Sequence, residues 1–473
     1  MTAGSVHAPN EGDGLRIADL GGRSVALWGF GREGRATLEA LRALPRPPRE
    51  VVIVTDRPPP AGTAAPPGTE WVAGEPGLAR LLSAEVVVRS PGISRYRDDA
   101  SQVAATTTVT TGTNLWFAEH SEERVVAVTG SKGKSTTSSL IAHLARAAGE
   151  TVVLAGNIGV PLLARLHPDP APGIWVLELS SHQTADLVRS PRVGVLTNLY
   201  REHLDWHGTL GRYIADKLSL FTHRSDGVAV LNREDPGTRE WTQQLPGRRA
   251  WFCDPAGYHV EGGVIRWGGQ ALIAASALRL RGRHNLVNAC AALCAAEQAG
   301  IDARAHAGAL RSFHPLPHRL EHVGEAGGVS YVNDSISTIP ESTVAALEAL
   351  RGREIVLIAG GFDRGQDHAP LLKALGRGTG VRAVVTLPPS GERLAAQLRD
   401  LGGAPPVVAA RDLAEAVELA HQRVRPGGVV LLSPAAPSYG PFRDFEERGD
   451  AFRALVSAVT GGGAAGAPGP TPW

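Results

Sequence analysis

The sequence predicts an α/β protein made of three consecutive domains, and three observations carry that prediction. The chain has 473 residues, more than one hydrophobic core usually holds, since domains average about 150 residues. Short apolar runs alternate with helical patterns along its length, the mark of parallel sheets assembled from βα units. Glycine-rich or polar stretches follow those runs, where such sheets gather their binding loops. The domains are expected over 1–111, 112–314 and 315–460, with a disordered Gly- and Pro-rich tail over 461–473.

Composition narrows the function classes. With 48 Lys plus Arg against 47 Asp plus Glu, the formal charge is +1, so the broad basic field needed for nonspecific nucleic-acid binding is missing. No apolar run approaches the roughly 20 residues that span a bilayer, and the first 20 residues resemble no export signal; a cytoplasmic location is expected, with no membrane partner. Cys253, Cys290 and Cys294 read as buried small hydrophobes. Only four of the basic residues are lysines: Lys132, Lys134, Lys217 and Lys373. An amine is compact enough for a phosphate loop and open to modification where a guanidinium is not, and three of these four fall in motifs.

The run at 24–29 leads through Gly29-Phe30-Gly31-Arg32-Glu33-Gly34 into a helical pattern at 35–44, which reads strand, tight turn, helix. Further runs at 50–55 and 85–89 end at Asp56 and at Ser90-Pro91-Gly92. A lone GxGxxG followed by an acidic residue admits a dinucleotide, another nucleotide-like ligand or a merely structural turn. The polar stretch 105–114 reads as a linker.

The next run, 124–129, opens onto Gly130-Ser131-Lys132-Gly133-Lys134-Ser135-Thr136 and a helical pattern at 137–148. This is a phosphate loop by mechanism and predicts ATP binding. Its two glycines let backbone N–H groups curl around phosphate oxygens, Lys134 reaches the outer phosphates, and Ser135 can set its hydroxyl on Mg²⁺. The spacing, GxxGK[ST], is two residues shorter than the common form. The run at 174–179 delivers Glu178, a carboxylate able to hold magnesium. The run at 193–197 is followed by His203 between acidic neighbours, read as a metal or phosphate neighbour, whereas His182 and His207 are expected on surface loops. Lys217 is expected at the start of a helix, facing the same loops. Asn285 opens an Ala-rich helix and can cap it or meet a base edge.

A hinge is expected at 315–319. Beyond it, runs at 330–333, 354–359, 383–387 and 428–433 predict a third sheet, whose loops at 333–335, 360–365 and 433–438 would form a ligand-binding rim.

Taken in order, TGSKGKST (129–136), GNIG (156–159), ELSSHQ (178–183), HLD (203–205), YxxxK ending at Lys217, HNLVNA (284–289), LPHR (316–319), NDS (333–335), GGFDRG (360–365), SPAAPS (433–438) and FEERG (445–449) form a highly specific set. From about residue 24 to 458 the chain resembles the ATP-dependent Mur ligases of peptidoglycan synthesis, and among them the members that add glutamate to UDP-N-acetylmuramoyl-L-alanine. The resemblance implies a Rossmann-like first domain holding UDP instead of NAD, through Gly29, Gly31, Arg32, Asp56, Arg57, Ser90 and Gly92, with Asn157, Ser180 and Gln183 toward the rest of the precursor. It implies a central P-loop ATPase domain with a parallel sheet, binding ATP through Gly130, Ser131, Lys132, Gly133, Lys134, Ser135 and Thr136, with Asn285, Asn288 and Asp334. Two magnesium ions would sit around Ser135, Glu178 and His203, and Lys217 matches the lysine that the family carbamoylates, an anion able to coordinate the second ion. Arg319 matches a γ-phosphate contact from a C-terminal Rossmann-like α/β domain, in which Arg364, Ser438 and Phe445 would hold glutamate.

The implied reaction runs through an acyl phosphate, with Lys134, Lys217, His203 and Arg319 as its catalytic set and His203 a ligand rather than a base. Where D-glutamate members read NDSKATN, this chain reads Asn333-Asp334-Ser335-Ile336-Ser337-Thr338-Ile339, replacing a lysine with an apolar residue. With the WGFGREG start, this resembles the variant members that add L-glutamate and leave inversion to a separate epimerase. A D-glutamate ligase and a folylpolyglutamate synthase-like ligase are the alternatives, and a monomer is expected.

Overall fold

The computed structural model describes residues 14–59, 64–158, 160–280, 282–314, 317–376 and 380–459; the expected tail lies outside the described residues. Two compact units form, one within Met1–Ala274 and Val287–Arg311, the other within Ala275–Leu286 and Ser312–Pro472.

The first unit contains two parallel sheets. Strands β1 (Ser24–Trp28), β2 (Glu50–Thr55), β3 (Glu70–Ala73), β4 (Val86–Arg89) and β5 (Thr108–Thr110) lie in the order β3-β2-β1-β4-β5, every pair parallel. Helices cover both faces, so β1 and β4 are apolar on both sides and wholly buried. Strand order reverses between β1 and β4, which places the crevice of this sheet at Gly29 and Ser90. Strands β6 (Val125–Thr129), β7 (Val152–Gly156), β8 (Ile174–Glu178), β9 (Val193–Leu196), β10 (Val228–Asn232) and β11 (Arg248–Phe252) follow in the order β11-β10-β9-β6-β8-β7, again all parallel. An antiparallel meander of β12 (Tyr258–Glu261), β13 (Val264–Trp267) and β14 (Gln270–Ala274) comes next.

The expected linker at 105–114 is instead ordered and largely buried. Its β-branched threonines make β5, an edge strand against β4. Thr111 then caps the helix Gly112–His120, accepting from Asn114 N at 3.1 Å. That helix buries Leu115, Trp116 and Phe117 in a core shared by Leu27 of the first sheet, by Leu38 of the helix Arg32–Arg42 and by Trp175 and Leu177 of the second sheet. A polar run here marks a strand edge and a cap.

The second unit holds β15 (Glu321–Ala326), β16 (Val329–Asn333), β17 (Ile355–Gly360), β18 (Val381–Leu387), β19 (Val407–Ala409) and β20 (Val429–Leu432), in the order β15-β16-β20-β17-β18-β19. Only the β15/β16 edge is antiparallel. Each strand expected from the sequence is present in these sheets, its ends within two residues of the apolar run. The three cysteines are buried, as expected. Among the described residues no helix is long and apolar enough to cross a membrane.

Candidate active site

The phosphate loop begins where β6 ends, and two close approaches explain its glycines. Gly130 has φ +137°, and a Cβ there would sit 2.0 Å from Thr197 Oγ1; Gly133 has φ +84°, and a Cβ would meet Asn288 Oδ1 at 2.3 Å. Neither position tolerates a side chain. The neighbouring strand β9 braces the loop from its carboxyl end. Asn198 accepts from Lys132 N at 2.8 Å and donates to Lys132 O at 3.0 Å, Thr197 Oγ1 donates to Lys132 O at 2.6 Å, and Ser131 Oγ lies 2.6 Å from Tyr213 OH. The sequence reading missed Thr197, Asn198 and Tyr213, although β9 lies beside β6 in the sheet. Beyond Gly133 the helix Lys134–Ala147 starts, with Ser135 and Thr136 in its first turn, so its N–H groups face the loop and favour an anion.

Two amines converge on the same loop carbonyl. Lys134 Nζ donates to Gly130 O at 3.1 Å and Lys217 Nζ donates to Gly130 O at 2.8 Å. Lys217 is not at a helix start. It lies in the middle of the helix Leu210–Thr222 and is 1% exposed, because the third turn of that amphipathic helix packs inward. Burial, then the Lys134 charge, holds its pKa well below the usual ammonium value. Lys132 Nζ forms an ion pair with Glu202 at 2.8 Å.

His182 and His207 also differ from their expected surface positions. The His182 ring stacks on Trp206 and on His207, with centroids 4.8 Å and 5.5 Å apart. His207 is wholly buried, with Nδ1 2.5 Å from Asp216 Oδ2 and Nε2 3.0 Å from Ser181 Oγ, while Tyr96 OH donates to Asp216 Oδ1 at 2.8 Å. A Ser–His–Asp chain with every member buried gives an acyl substrate no access. Here it ties the helix carrying Lys217 to the Ser180–Gln183 turn and to the loop after β4. Neither neighbourhood, SSHQ around His182 nor HLDWH ending at His207, gave a burial signal, since the packing partners come from distant segments. His203, by contrast, is exposed at φ +53°, and desolvation, opposed by Glu202 and assisted by three lysine charges, pushes its pKa down to about 4. It is therefore the neutral imidazole, the form that ligates a metal.

Glu178 ends β8 beside β6. Its Oε1 accepts from Asn157 Nδ2 at 2.7 Å, while the buried Oε2 has no hydrogen-bond partner. Among the described residues no group of three or more His, Cys, Asp or Glu has metal-holding geometry. The free carboxylate oxygen of Glu178 with the Ser135 hydroxyl and the His203 imidazole nonetheless suits a hard divalent cation bound jointly with phosphates, and the Lys217 amine would join such a set only as an anion.

In the first sheet, Gly29 (φ +92°) packs on Ser90, whose Oγ donates to Gly29 O at 3.0 Å. Gly31 precedes the helix Arg32–Arg42, and Gly34 allows Gly29 O within 2.4 Å of where a Cβ would be. Arg32, Arg57 and Gly92 are exposed on this rim, and Asp56 is held by both terminal nitrogens of Arg97 at 2.7 and 3.1 Å. Ser180 and Gln183 form a capping box, and Gln183 Nε2 donates to Glu33 Oε1 at 3.0 Å, joining the GxGxxG turn to the second sheet.

Within the second unit, Asn285 is buried at the start of the helix Arg283–Gln298, and Arg319 stands between His318 (φ +61°) and Leu320 (φ +45°). Arg364 is exposed with its guanidinium 5.1 Å from the Tyr439 ring centroid, Ser438 is buried, and the Phe445 ring meets His318 edge-on at 6.2 Å. Asp334 is buried and accepts from Ser337 Oγ (2.5 Å), Ser433 Oγ (2.8 Å) and Leu320 N (3.1 Å). Desolvation outweighs these bonds and raises its pKa from 3.8 to about 6. A carboxyl whose folded pKa is raised stabilises the fold below its unfolded pKa and loses that contribution as pH rises through the folded value. Chemical denaturation is thus expected to show stability falling between pH 4 and 6, by up to roughly 3 kcal/mol, and Asp334→Asn is expected to flatten that slope; an unchanged slope would rule out the assignment.

A glycine loop cradling a helix N-terminus, with lysine, hydroxyl and carboxylate around it at the carboxyl edge of a parallel sheet, defines a nucleoside-triphosphate-using enzyme of α/β class. The Mur ligase middle domain matches residues 128–296, and the Mur ligase, glutamate ligase domain, matches 318–436. A UDP-N-acetylmuramoyl-L-alanine--L-glutamate ligase of Xanthomonas axonopodis pv. citri is 44% identical over 470 residues, covering 94% of this chain and 99% of that protein. The Salinispora tropica protein of the same name is 43% identical, covering 94% and 100%. Among solved structures, UDP-N-acetylmuramate-alanine ligase from Thermotoga maritima shares the fold at a TM-score of 0.58 and 19% identity, over 92% of this chain and 100% of that one. The chain belongs to the Mur ligase family of ATP-dependent acid–amino acid ligases, with the three α/β domains of that family.

Proposed function

We propose that this chain joins L-glutamate to UDP-N-acetylmuramoyl-L-alanine, converting ATP to ADP and phosphate. The observation that carries the reading is near full-length identity of 44% to a relative of that name; the apolar Ile336, where D-glutamate members have lysine, favours the L-enantiomer. A carboxylate oxygen of the alanyl group attacks the γ-phosphorus as the bond to ADP breaks, giving an acyl phosphate. The neutral amine of glutamate then attacks the acyl carbon, phosphate leaves, and the nitrogen loses a proton.

The chain's own groups serve this chemistry by position and charge. Gly130, Ser131, Lys132, Gly133, Ser135 and Thr136 cradle the triphosphate, with Asn285, Asn288 and Asp334 completing the nucleotide contacts. Lys134 draws charge from the γ-phosphate as it transfers, and Arg319 acts on the same group. The first-sheet rim of Gly29, Gly31, Arg32, Asp56, Arg57, Ser90 and Gly92 takes the UDP moiety, with Asn157, Ser180 and Gln183 toward the muramoyl end. Arg364 and Ser438 hold the glutamate carboxylates beside Phe445. Magnesium, bound by Ser135, Glu178 and His203, would neutralise phosphate charge. Lys217 is read as carbamoylated: an amine kept neutral by burial adds to CO₂, releases a proton and becomes the anion that a cation site accepts. The enzyme is read as a monomer whose L-configured product is inverted by a separate epimerase.

Supplying ATP, magnesium, UDP-N-acetylmuramoyl-L-alanine and each glutamate enantiomer in turn, and counting phosphate release, tests this. Release is expected with L-glutamate at least about tenfold faster than with D-glutamate. A D-preference would overturn the stereochemistry, and no release with either would overturn the reaction.

A further inference from the structure

Arg448 lies one turn into the helix Phe445–Val459 and is 1% exposed. Its Nε donates to Ser335 Oγ at 2.9 Å, Nη2 to Ser335 O at 2.7 Å, and Nη1 to Ala436 O at 3.0 Å. All three acceptors are neutral, and burial pushes the guanidinium pKa down to about 9. A buried cation facing only neutral acceptors is unfavourable compared with an aliphatic side chain of similar volume. What the guanidinium adds is direction: a planar fork that engages two loops at once.

Those loops are the ones after β16 and β20. A third, after β17, rests on the same group, since a Cβ on Gly361 would lie 3.1 Å from Arg448 Nη1 and 2.4 Å from Pro437 O, and Phe362 N donates to Pro437 O at 2.9 Å. Ser335 Oγ also donates to Phe445 O at 2.8 Å, closing a ring from the β16 loop through the start of the helix and back through Arg448. The same three loops and the helix carry Asp334, Ser438, Arg364 and Phe445.

We infer that Arg448 is a positioning residue for the amino-acid substrate, its guanidinium locking the loops after β16, β17 and β20 into the rim that receives glutamate. This rests on the reaction proposed above. The residue touches no substrate; it acts through the loops it pins, and a lysine amine at 448 could not serve the Ser335 and Ala436 carbonyls together with the Ser335 hydroxyl.

Arg448→Met, Arg448→Lys and Ser335→Ala, made in the full chain, are compared by steady-state kinetics with each substrate varied. For Arg448→Met the KM for glutamate is expected to rise about tenfold or more, the KM for ATP to rise less, through Asp334 on the same β16 loop, and the KM for the precursor to stay within about twofold; Arg448→Lys should recover little of the loss. Ser335→Ala, which keeps the two main-chain bonds, should raise the glutamate KM less and in the same direction, and it decides the matter if Arg448→Met does not fold. A merely structural arginine predicts lower kcat and a lower melting temperature with all KM values unmoved, and that result, or a rise in the KM for ATP as large as that for glutamate, overturns the inference. A wild-type chain inert toward glutamate removes the reaction and this inference together, whereas an active wild type with an unmoved glutamate KM in the variants removes only the role of Arg448.

Discussion

Lys134→Ala is expected to lower kcat/KM for ATP by about 10³-fold or more, while UDP-precursor binding, measured by calorimetry without ATP, changes less than about twofold. The asymmetry follows from where the side chain is anchored. Lys134 opens the helix Lys134–Ala147, and its amine reaches back to Gly130 O and Ser131 O at 3.1 Å each, so it is folded over the mouth of the loop where outer phosphates would lie. The Gly29 and Ser90 crevice belongs to another sheet with its own hydrogen bonds, and nothing in it depends on Lys134. Losing the amine leaves the loop in place, because Thr197 and Asn198 hold its main chain at Lys132. The loss is therefore of charge at the transferring phosphate rather than of fold, and the melting temperature should move little. Equal losses for ATP and the precursor would mean that the two crevices are not separate sites.

The phosphate loop was legible because its chemistry is local: two glycines, a lysine and a hydroxyl within six residues, between a strand and a helix. The central strands were legible for the same reason, each being a continuous apolar run buried on both faces. Elements at sheet edges were not. β3 is half-exposed and β5 is a Thr-Val-Thr triplet, so neither shows the pattern of a buried strand, and the linker expected at 105–114 was in truth an edge strand and a helix cap. Side chains placed by long-range packing were equally hidden. His207 reads as a polar loop residue, yet Ser181 and Asp216 enclose it from two other segments. Arg448 was visible only as the fourth residue of the FEERG motif, and its partners lie 113 and 12 residues away. Lysine scarcity singled out Lys217 but gave no depth; the structure buries it at 1% exposure.

Lys217→Ala is expected to reduce ligase activity by about 10²-fold or more, and millimolar formate or acetate is expected to restore part of it, about tenfold. Three observations converge on that outcome. The amine is buried 2.8 Å from Gly130 O on the phosphate loop, its pKa is held well below the ordinary value by desolvation and the Lys134 charge, and the buried Oε2 of Glu178, whose charge it feels, has no partner. A buried ammonium beside a second lysine is electrostatically disfavoured, whereas a carbamate on the same nitrogen offers anionic oxygens to any cation shared with Glu178. Truncation to alanine opens room for a small carboxylate to supply that anion. Arginine at 217 makes the contrasting test, because a guanidinium stays protonated and forms no carbamate. Lys217→Arg should thus be as inactive as the alanine variant and should not respond to added acid. If arginine instead retained most activity, or if acid failed to revive the alanine variant while its melting temperature matched the wild type, the lysine would be acting as a buried cation bracing the loop, and the carbamate would have no place in the reaction.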